Sequence, residues 1–460
     1  MRPEPQAAPY RPEPRIQEIA DWIAAPVDAA DFPETRLRFR NDRWAQSVGL
    51  DRLTDDQWCA HFGRFAPLEA NLPRPLALKY HGHQFRTYNP QIGDGRGFLF
   101  AQMRDAEGRL LDLGTKGSGQ TPYSRDGDGR LTLKGAVREI LATEMLEAQG
   151  VHTSKTFSVI ETGEQLARGD EPSPTRSAVM VRLSHGHIRI GSFQRLAALD
   201  ERDHLAALVD YALSTYPGPM PPADAPARDE PAVILLHQVV ERLADLAASY
   251  MVAGFVHGVL NTDNMNISGE SFDYGPWRWL PRWEGGFTAA YFDQTGLYCF
   301  GRQPEAIHWN CAQLGNALLP LAEKDALVAA IDRFAPLYHS NVARRMCWRL
   351  GVASQGEERD LALFRALGEA MRVREAVPEE FFQSLRGLQD VPEELADALA
   401  DYESVADAPA PAQTMLIEEV EEIWAAIDQR DDWQPLHDKV AALRTYGATL
   451  GPAPEPAGHG

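Results

Sequence analysis

The sequence predicts an α+β chain in which a small strand-rich lobe precedes a larger, mostly helical lobe. In the first part of the chain, short apolar runs alternate with glycine-rich turns, a pattern that is typical of strands. The clearest of these runs are 97–103, 110–113, 156–160 and 177–182. One helical pattern, 133–149, interrupts them, and Gly150 follows it as a C-terminal cap.

The helical lobe is predicted from a change in periodicity after a loop. The Pro- and Ala-rich stretch 217–227 is not expected to be helical. Beyond it, apolar residues of 233–255 recur three to four positions apart, which predicts one long helix. Further helices are predicted at 196–216, 304–349, 359–388 and 413–444.

Charge and composition narrow the functional class. The chain has 45 Lys and Arg against 66 Asp and Glu, a net charge of −21, which argues against a general nucleic-acid binder. The acidic residues concentrate beyond residue 350, where we expect solvated helix faces. The start of the chain has no signal-peptide pattern, and no apolar run could span a membrane. We therefore expect a cytoplasmic monomer with no nucleic-acid or membrane partner.

Two glycine-rich turns could approach a phosphate closely. In the segment 91–97, glycines alternate with charged residues ahead of a strand, so backbone amides could face a ligand and Arg96 would add a positive charge. The segment 124–130 is a second turn of this kind. An ordinary hairpin turn is the commoner explanation of the segment 91–97, which does not follow the pattern of a dinucleotide-binding fold.

A lysine and a glutamate could form an ion pair between a strand and the helix. Lys116 ends a predicted strand among glycines, but the order of residues is not that of a P-loop. Glu139 lies in the predicted helix with small neighbours, Gly135 and Thr143, one turn away on either side. A Lys116–Glu139 pair is therefore possible, and a surface lysine in a turn is the alternative.

Arg182 and Arg189 could bind phosphate, because a planar guanidinium donates two hydrogen bonds at once. Two arginines seven positions apart are also common on protein surfaces. Nearby histidines at 185 and 187, and those at 81 and 83, are interpreted as structural because no third metal ligand adjoins them in the sequence.

The most informative stretch follows the long helix. His257 and Asn264 have the spacing of the HRDxxxxN loop of protein kinases, and Asp273-Tyr274-Gly275 can stand for the DFG motif. Val259 occupies the place of the kinase catalytic aspartate and cannot accept a proton. Asp263 is the available carboxylate beside Asn264, whose oxygen would suit Mg²⁺.

Taken in order, these motifs resemble the selenoprotein O family over roughly residues 75–320. The residues that carry the resemblance are GDGR at 93–96, LGTKGSGQTPYSR at 113–125, GDGR at 127–130, VRE at 137–139, HGVLNTDNM at 257–265 and DYGP at 273–276. Members of that family have a two-lobed protein-kinase-like fold and are called pseudokinases. They transfer AMP from ATP to protein hydroxyls with the nucleotide flipped, so that the α-phosphate faces the acceptor.

The resemblance implies a role for each motif residue. The nucleotide site would comprise Gly93, Gly95, Arg96, Lys116, Asp128, Gly129, Arg182, Arg189 and Asp273. Glu139 would support Lys116 through an ion pair. Asn264 and Asp273 would bind Mg²⁺ or Mn²⁺, and Asp263 would be the catalytic base. ATP and proteins bearing Ser, Thr or Tyr hydroxyls would be the substrates.

The resemblance also implies a division of the chain into four parts. We expect an N-terminal segment packed on the core, a nucleotide-binding N-lobe, a C-lobe with the catalytic and metal loops, and an acidic helical C-terminal region, at 1–74, 75–195, 196–350 and 351–460. Many family members carry a cysteine or selenocysteine close to the C-terminus. This sequence has none there, so redox regulation through that residue is not expected.

Three other activities remain open on the sequence alone. The same site could transfer UMP with Mn²⁺, or the protein could be a scaffold that binds nucleotide without catalysis. An ordinary phosphotransferase is disfavoured because Val259 replaces the usual base.

Overall fold

The structure, a computed structural model, describes residues 5–169, 171–406 and 411–455. It has the predicted two-lobed α+β architecture: an antiparallel sheet with one long helix packed on it, followed by a helical lobe. Residues 456–460, at the end where the sequence lacks the family's cysteine, lie outside the described residues. Across the described ranges, no helix combines the length and the apolar character needed to cross a membrane.

The first lobe is built on an eight-stranded sheet in the order β1-β3-β6-β7-β10-β9-β2, with β8 beside β10. The first ten strands of the chain are β1 (Ala24–Pro26), β2 (Arg36–Arg40), β3 (Leu76–Leu78), β4 (Gly82–Gln84), β5 (Thr87–Asn89), β6 (Leu99–Arg104), β7 (Leu110–Lys116), β8 (Leu131–Thr132), β9 (Lys155–Leu166) and β10 (Thr175–Ser184). Strands β4 and β5 form a separate hairpin. Residues before 75 therefore supply both outer strands of the main sheet.

Helix α4 is the long helix of the first lobe. Three short helices precede it in the chain: α1 (Ala20–Ile23), α2 (Asp42–Ser47) and α3 (Asp55–Phe62). Helix α4 spans Leu133–Ala148 and begins where the Thr132 hydroxyl accepts a hydrogen bond from the backbone of Gly135, as an N-cap does. Its buried face packs on β9 and β10, so the helix predicted at 133–149 is confirmed.

Helix α7 (Pro231–Ala253) forms the centre of the second lobe, as the apolar periodicity predicts. It ends at Gly254, whose φ of +63° is the left-handed conformation that closes a helix. A short strand pair, β11 (Phe255–Val256) and β12 (Arg278–Trp279), then brackets the loop that carries the kinase-like motifs. The other helices around α7 are α5 (Ile190–Ala198), α6 (Arg202–Thr215), α8 (Gln303–Leu318), α9 (Lys324–Asp332) and α10 (Phe334–Leu350).

The predicted helical segments 196–216, 304–349, 359–388 and 413–444 are largely helical in the structure, but each contains parts of more than one helix. The C-terminal part contains α11 (Glu357–Arg374), α12 (Pro378–Leu385), α13 (Glu393–Leu399), α14 (Ile417–Arg430) and α15 (Gln434–Leu450). Asp200, Glu375 and Asp431 adopt positive φ where helices end, and prolines begin the next helix at several of these breaks. Apolar periodicity continues across such breaks and does not reveal them.

The acidic C-terminal helices are not an isolated tail. Helices α14 and α15 pack on α4 of the first lobe. Arg444 of α15 lies 2.6 Å from the buried Glu144 of α4, and Lys134 of α4 pairs with Glu421 of α14 at 2.7 Å. The C-terminal region therefore supports the helix that carries Glu139.

Candidate active site

A cavity of about 710 Å³ between the two lobes collects the motif residues. Eleven of the twelve residues singled out in the sequence line it: Gly93, Gly95, Arg96, Lys116, Asp128, Gly129, Arg182, Arg189, Asp263, Asn264 and Asp273. The twelfth, Glu139, lies directly behind Lys116. Motifs that are up to 180 residues apart in sequence, from Gly93 to Asp273, therefore form one site.

The sheet register explains why Lys116 and Arg182 point into the same space. Strands β7 and β10 are antiparallel neighbours in which Gly114 lies opposite Arg182 and Lys116 lies opposite Met180. Residues opposite each other, and residues two apart on one strand, share a face of the sheet. Lys116 and Arg182 are thus diagonal neighbours, and the absence of a side chain at Gly114 admits the His187 ring, whose Nε2 would clash with a Cβ there.

Lys116 forms the ion pair that the sequence suggested. Its Nζ lies 2.5 Å from Oε2 of Glu139, and both side chains are buried. Burial lowers the pKa of Lys116, although the Glu139 carboxylate opposes this effect. A lysine anchored in this way keeps its ammonium at the cavity wall, where it can contact a phosphate oxygen.

Arg182 and Arg189 both bind the carboxylate of Asp273. Nη1 of Arg182 lies 2.6 Å from Oδ1 of Asp273, and Nη1 of Arg189 lies 2.6 Å from Oδ2. The two arginine side chains are only 5% and 4% exposed. Burial alone would raise the pKa of Asp273, but Arg182, Arg189 and Lys116 together hold it well below its usual value. The cavity floor therefore carries a cationic cluster around one ionised carboxylate.

The glycine-rich segment 91–97 is held against residues 121–124. The hydroxyls of Thr121 and Ser124 donate to the backbone carbonyls of Asp94 and Gly95. A Cβ at Gly93 would lie 2.5 Å from the ring of Tyr123, so a side chain there would displace the loop. Arg96 lines the cavity, and its guanidinium forms no ion pair with the residues that the structure describes.

Asp263 lies beside Arg189, in a 3₁₀ turn spanning Thr262–Asn264, and its backbone carbonyl accepts a 2.7 Å hydrogen bond from Nη1 of Arg189. Its Oδ1 is buried without a hydrogen-bond partner among the described residues, and its Oδ2 accepts a 3.4 Å hydrogen bond from Gln84. Burial raises the pKa of Asp263 to about 6. A carboxylate with one unpaired oxygen and a pKa near neutrality has the properties of a general base. Val259 lines the same cavity and offers no such group.

Asn264 and Asp273 provide the oxygens that a hard divalent cation prefers. The Nδ2 of Asn264 donates to the Val259 carbonyl at 3.0 Å, which turns the amide oxygen away from that carbonyl. Both oxygens of Asp273 accept from arginines, so a cation would share this carboxylate with them. The donor set fits Mg²⁺ or Mn²⁺.

The histidines interpreted as structural all have hydrogen-bond partners. His81 contacts Tyr88, His83 contacts Gln194, and His187 contacts Asp112. His185 contacts the buried Glu270, which also accepts from the His185 backbone. The last pair connects the end of β10 to the loop that carries Asp273.

Sequence reasoning missed two contributors to this site. Arg168 reaches the cavity rim and pairs with Asp128 at 2.8 Å, from a loop with no recognisable motif. Gln84 reaches Asp263 from the β4–β5 hairpin, whose histidine-rich sequence was the only signal.

A family model and several named proteins match this sequence. The family model described as protein adenylyltransferase SelO matches residues 8–397. A protein nucleotidyltransferase YdiU from Synechocystis sp. is 42% identical, over 94% of this chain and 98% of that protein. Another, from Synechococcus elongatus, is 49% identical over 75% of this chain and 68% of that protein. Among solved structures, ROP2 from Toxoplasma gondii matches with a TM-score of 0.27 and 12% identity, over 82% of this chain and 85% of that one.

Proposed function

The chain belongs to the protein adenylyltransferase SelO family and is a protein nucleotidyltransferase, and we propose that it transfers AMP from ATP to Ser, Thr or Tyr hydroxyls of other proteins. One observation carries the proposal: Arg182, Arg189 and Lys116 of a strongly acidic protein line a single cavity together with Asp263, one of whose carboxylate oxygens has no hydrogen-bond partner among the described residues.

In the proposed complex, the triphosphate lies between the lobes at 75–195 and 196–350. Lys116, Arg182 and Arg189 neutralise the β- and γ-phosphates, and the backbone at Gly93 and Gly95, with Arg96, borders the nucleotide. Asp128 and Gly129 line the outer part of the same cavity. Arginines suit this task because each can donate two hydrogen bonds to phosphate oxygens.

The α-phosphate then faces Asp263. The acceptor hydroxyl gives its proton to the Asp263 carboxylate while its oxygen attacks the α-phosphorus. The bond between the α-phosphorus and the bridging oxygen breaks, and pyrophosphate leaves with the electron pair. The cationic cluster stabilises the charge on the leaving group, which is the largest contribution expected in phosphoryl-type transfer.

Asn264 and Asp273 would hold Mg²⁺ or Mn²⁺, which supplies further neutralisation of phosphate charge when bound. Nucleotide binding would draw Arg182 and Arg189 from Asp273 towards the phosphates and free the Asp273 oxygens for the cation.

We place the reaction in the cytoplasm, with the enzyme acting as a monomer.

The test measures the mass of acceptor proteins after incubation with ATP or UTP and either Mg²⁺ or Mn²⁺. We expect the mass of one adenylyl group to be added with wild-type protein and not with Asp263→Asn. Asp126→Asn, an exposed aspartate on the rim of the same cavity, is the matched control and should retain transfer. If uridylyl groups were added in preference to adenylyl groups, the activity would be UMP transfer and not AMP transfer. ATP binding without the addition of any nucleotidyl group would contradict AMP transfer and favour a scaffold that binds nucleotide without catalysis.

A further inference from the structure

The β4–β5 hairpin has a strained turn beside the proposed catalytic base. Its two turn residues, Phe85 and Arg86, have φ of +50° and +63°. Two-residue hairpin turns of this conformation normally use Asn-Gly, because other side chains are disfavoured at positive φ. Such strain persists only where the surroundings impose it, and it is concentrated at functional sites.

The surroundings here are the catalytic loop itself. The backbone N–H of Phe85 donates to Oδ1 of Asn261 at 3.0 Å, and that of His83 donates to the Thr262 hydroxyl at 2.7 Å. Gln84 donates to Asp263. The hairpin is thus fixed to three consecutive residues of the loop, and the position of Phe85 relative to Asp263 is fixed with it.

Phe85 belongs to an exposed aromatic cluster. Its ring centroid lies 5.9 Å from that of Phe292, which lies 5.2 Å from that of Tyr291. Their exposed fractions are 36%, 46% and 83%. Within the described ranges, these three are the only aromatic residues among the exposed large apolar side chains. We call Phe85, Tyr291 and Phe292 the aromatic rim.

The rim is supported from below, and the charge of the adjacent Arg86 is paired. Tyr298 contacts Phe85 with a centroid separation of 5.0 Å, and its hydroxyl donates to the same Asn261 oxygen. The neighbouring Arg86 pairs with Glu305 at 2.8 Å. Exposed rings held rigidly in this way gain free energy when another apolar group covers them.

We propose that the aromatic rim is the docking subsite for the acceptor protein and takes an apolar side chain next to the hydroxyl-bearing residue. This inference rests on the proposed function. The acceptor hydroxyl must reach Asp263, and Gln84, which contacts Asp263 and lines the cavity, directly precedes Phe85 in the hairpin. The polypeptide that flanks the hydroxyl therefore passes over the rim.

The test uses full-length protein, Mg²⁺ and an ATP analogue whose α–β bridge cannot be cleaved. A degenerate peptide library centred on Ser is bound, and the bound peptides are sequenced. We expect large apolar residues to be enriched about tenfold at one flanking position, since filling an apolar subsite is worth roughly that ratio.

The informative variant is Phe85→Asn with Phe292→Ser. Asparagine accepts positive φ, so the turn is kept while the rim loses its rings. The apolar enrichment should disappear, with the affinity for the ATP analogue unchanged. Met220→Ser with Val373→Asn removes two exposed apolar side chains elsewhere and should leave the enrichment intact.

If the wild type and the rim variant bound peptides of the same composition, the inference would be overturned. The inference would also be overturned if the wild type formed a concentration-dependent dimer and the rim variant did not, because a second copy of the chain would then cover the rim. Label transfer from ATP to the same library is measured separately. Transfer without apolar selection contradicts only the rim, whereas apolar selection without transfer contradicts only the proposed function.

Discussion

Gly447 of helix α15 packs directly on Ala148 of helix α4. A Cβ added at Gly447 would lie 2.9 Å from the Ala148 Cα, so the two helices are in backbone contact at this point. About two and a half turns earlier in α4, Glu139 pairs with Lys116. In protein kinases the position of the corresponding helix controls this ion pair. The acidic C-terminal helices thus support the helix whose Glu139 pairs with Lys116.

Enlarging Gly447 should weaken this support. We expect Gly447→Val to push α15 away from α4 and to reduce the free energy of unfolding by about 1–3 kcal/mol, the usual result of overpacking. The rate of transfer should fall with it, mainly through a higher KM for ATP. Unfolding in denaturant and steady-state kinetics measure the two effects. Ala441→Val, at an exposed position of the same helix, is the control. Unchanged kinetics in a destabilised Gly447→Val protein would show that α15 does not act on the site.

Removing the charge of Lys116 should affect activity and stability separately. Lys116→Met should lower the rate of transfer about 100-fold or more, as loss of a charge-stabilising donor does. It also leaves the buried Glu139 with only the longer 3.5 Å contact to Arg182, which should cost up to about 3–5 kcal/mol of unfolding free energy.

The double variant Lys116→Met with Glu139→Gln removes the buried negative charge that has lost its nearest partner. We expect it to regain much of the lost stability, measured in denaturant, but none of the lost transfer. Recovery of transfer in the double variant would show that Lys116 acts only as a structural partner of Glu139.

Asp263 should titrate well above an ordinary aspartate in the protein without nucleotide or metal. Burial raises its pKa to about 6, so the carboxyl is mostly protonated at pH 5 and mostly ionised at pH 7. A carboxyl can accept the acceptor's proton only when ionised, so competence as a base is gained as the pH rises through this value. Carbon-13 NMR of labelled aspartates, with Asp263→Asn to assign the signal, measures the midpoint. A midpoint near the ordinary value of 3.8 would contradict the buried environment.

Cation binding should depend on nucleotide. Arg182 and Arg189 occupy both oxygens of Asp273, so Mn²⁺ should bind weakly to the protein alone. Nucleotide should raise the Mn²⁺ affinity at least about tenfold, beyond the binding by nucleotide itself, because the phosphates compete for the arginines. Electron paramagnetic resonance of free Mn²⁺ measures this, and Asp273→Asn should abolish the gain. Tight Mn²⁺ binding to the protein alone would contradict the exchange.

The sequence predicted the parts of this structure that are encoded locally. Helix α4 follows from its apolar periodicity and its cap, and α7 from its long apolar stripe. The motif residues were identified because each motif is a short segment in which glycines and charged residues occur at a recognisable spacing. Their convergence in one cavity was implied by the family resemblance, and the sheet register of β7 and β10 explains it physically.

The remaining features depend on contacts that no local pattern records. Strands of three residues, such as β1 and β4, are too short to show a periodicity. The contact between Gly447 and Ala148 joins segments about 300 residues apart, and Gly447 looks like an ordinary glycine in a helix. Phe85 at positive φ is the residue least expected in such a turn, so its conformation is visible only in the structure.

The most direct measurement follows the phosphate that is transferred. Purified protein is incubated with Mg²⁺, an acceptor protein mixture and ATP labelled at either the α- or the γ-phosphate, beside an Asp273→Ala control. AMP transfer predicts label on protein from the α-position only, and none in the variant. Label on protein from the γ-position alone would contradict AMP transfer and make the protein a kinase.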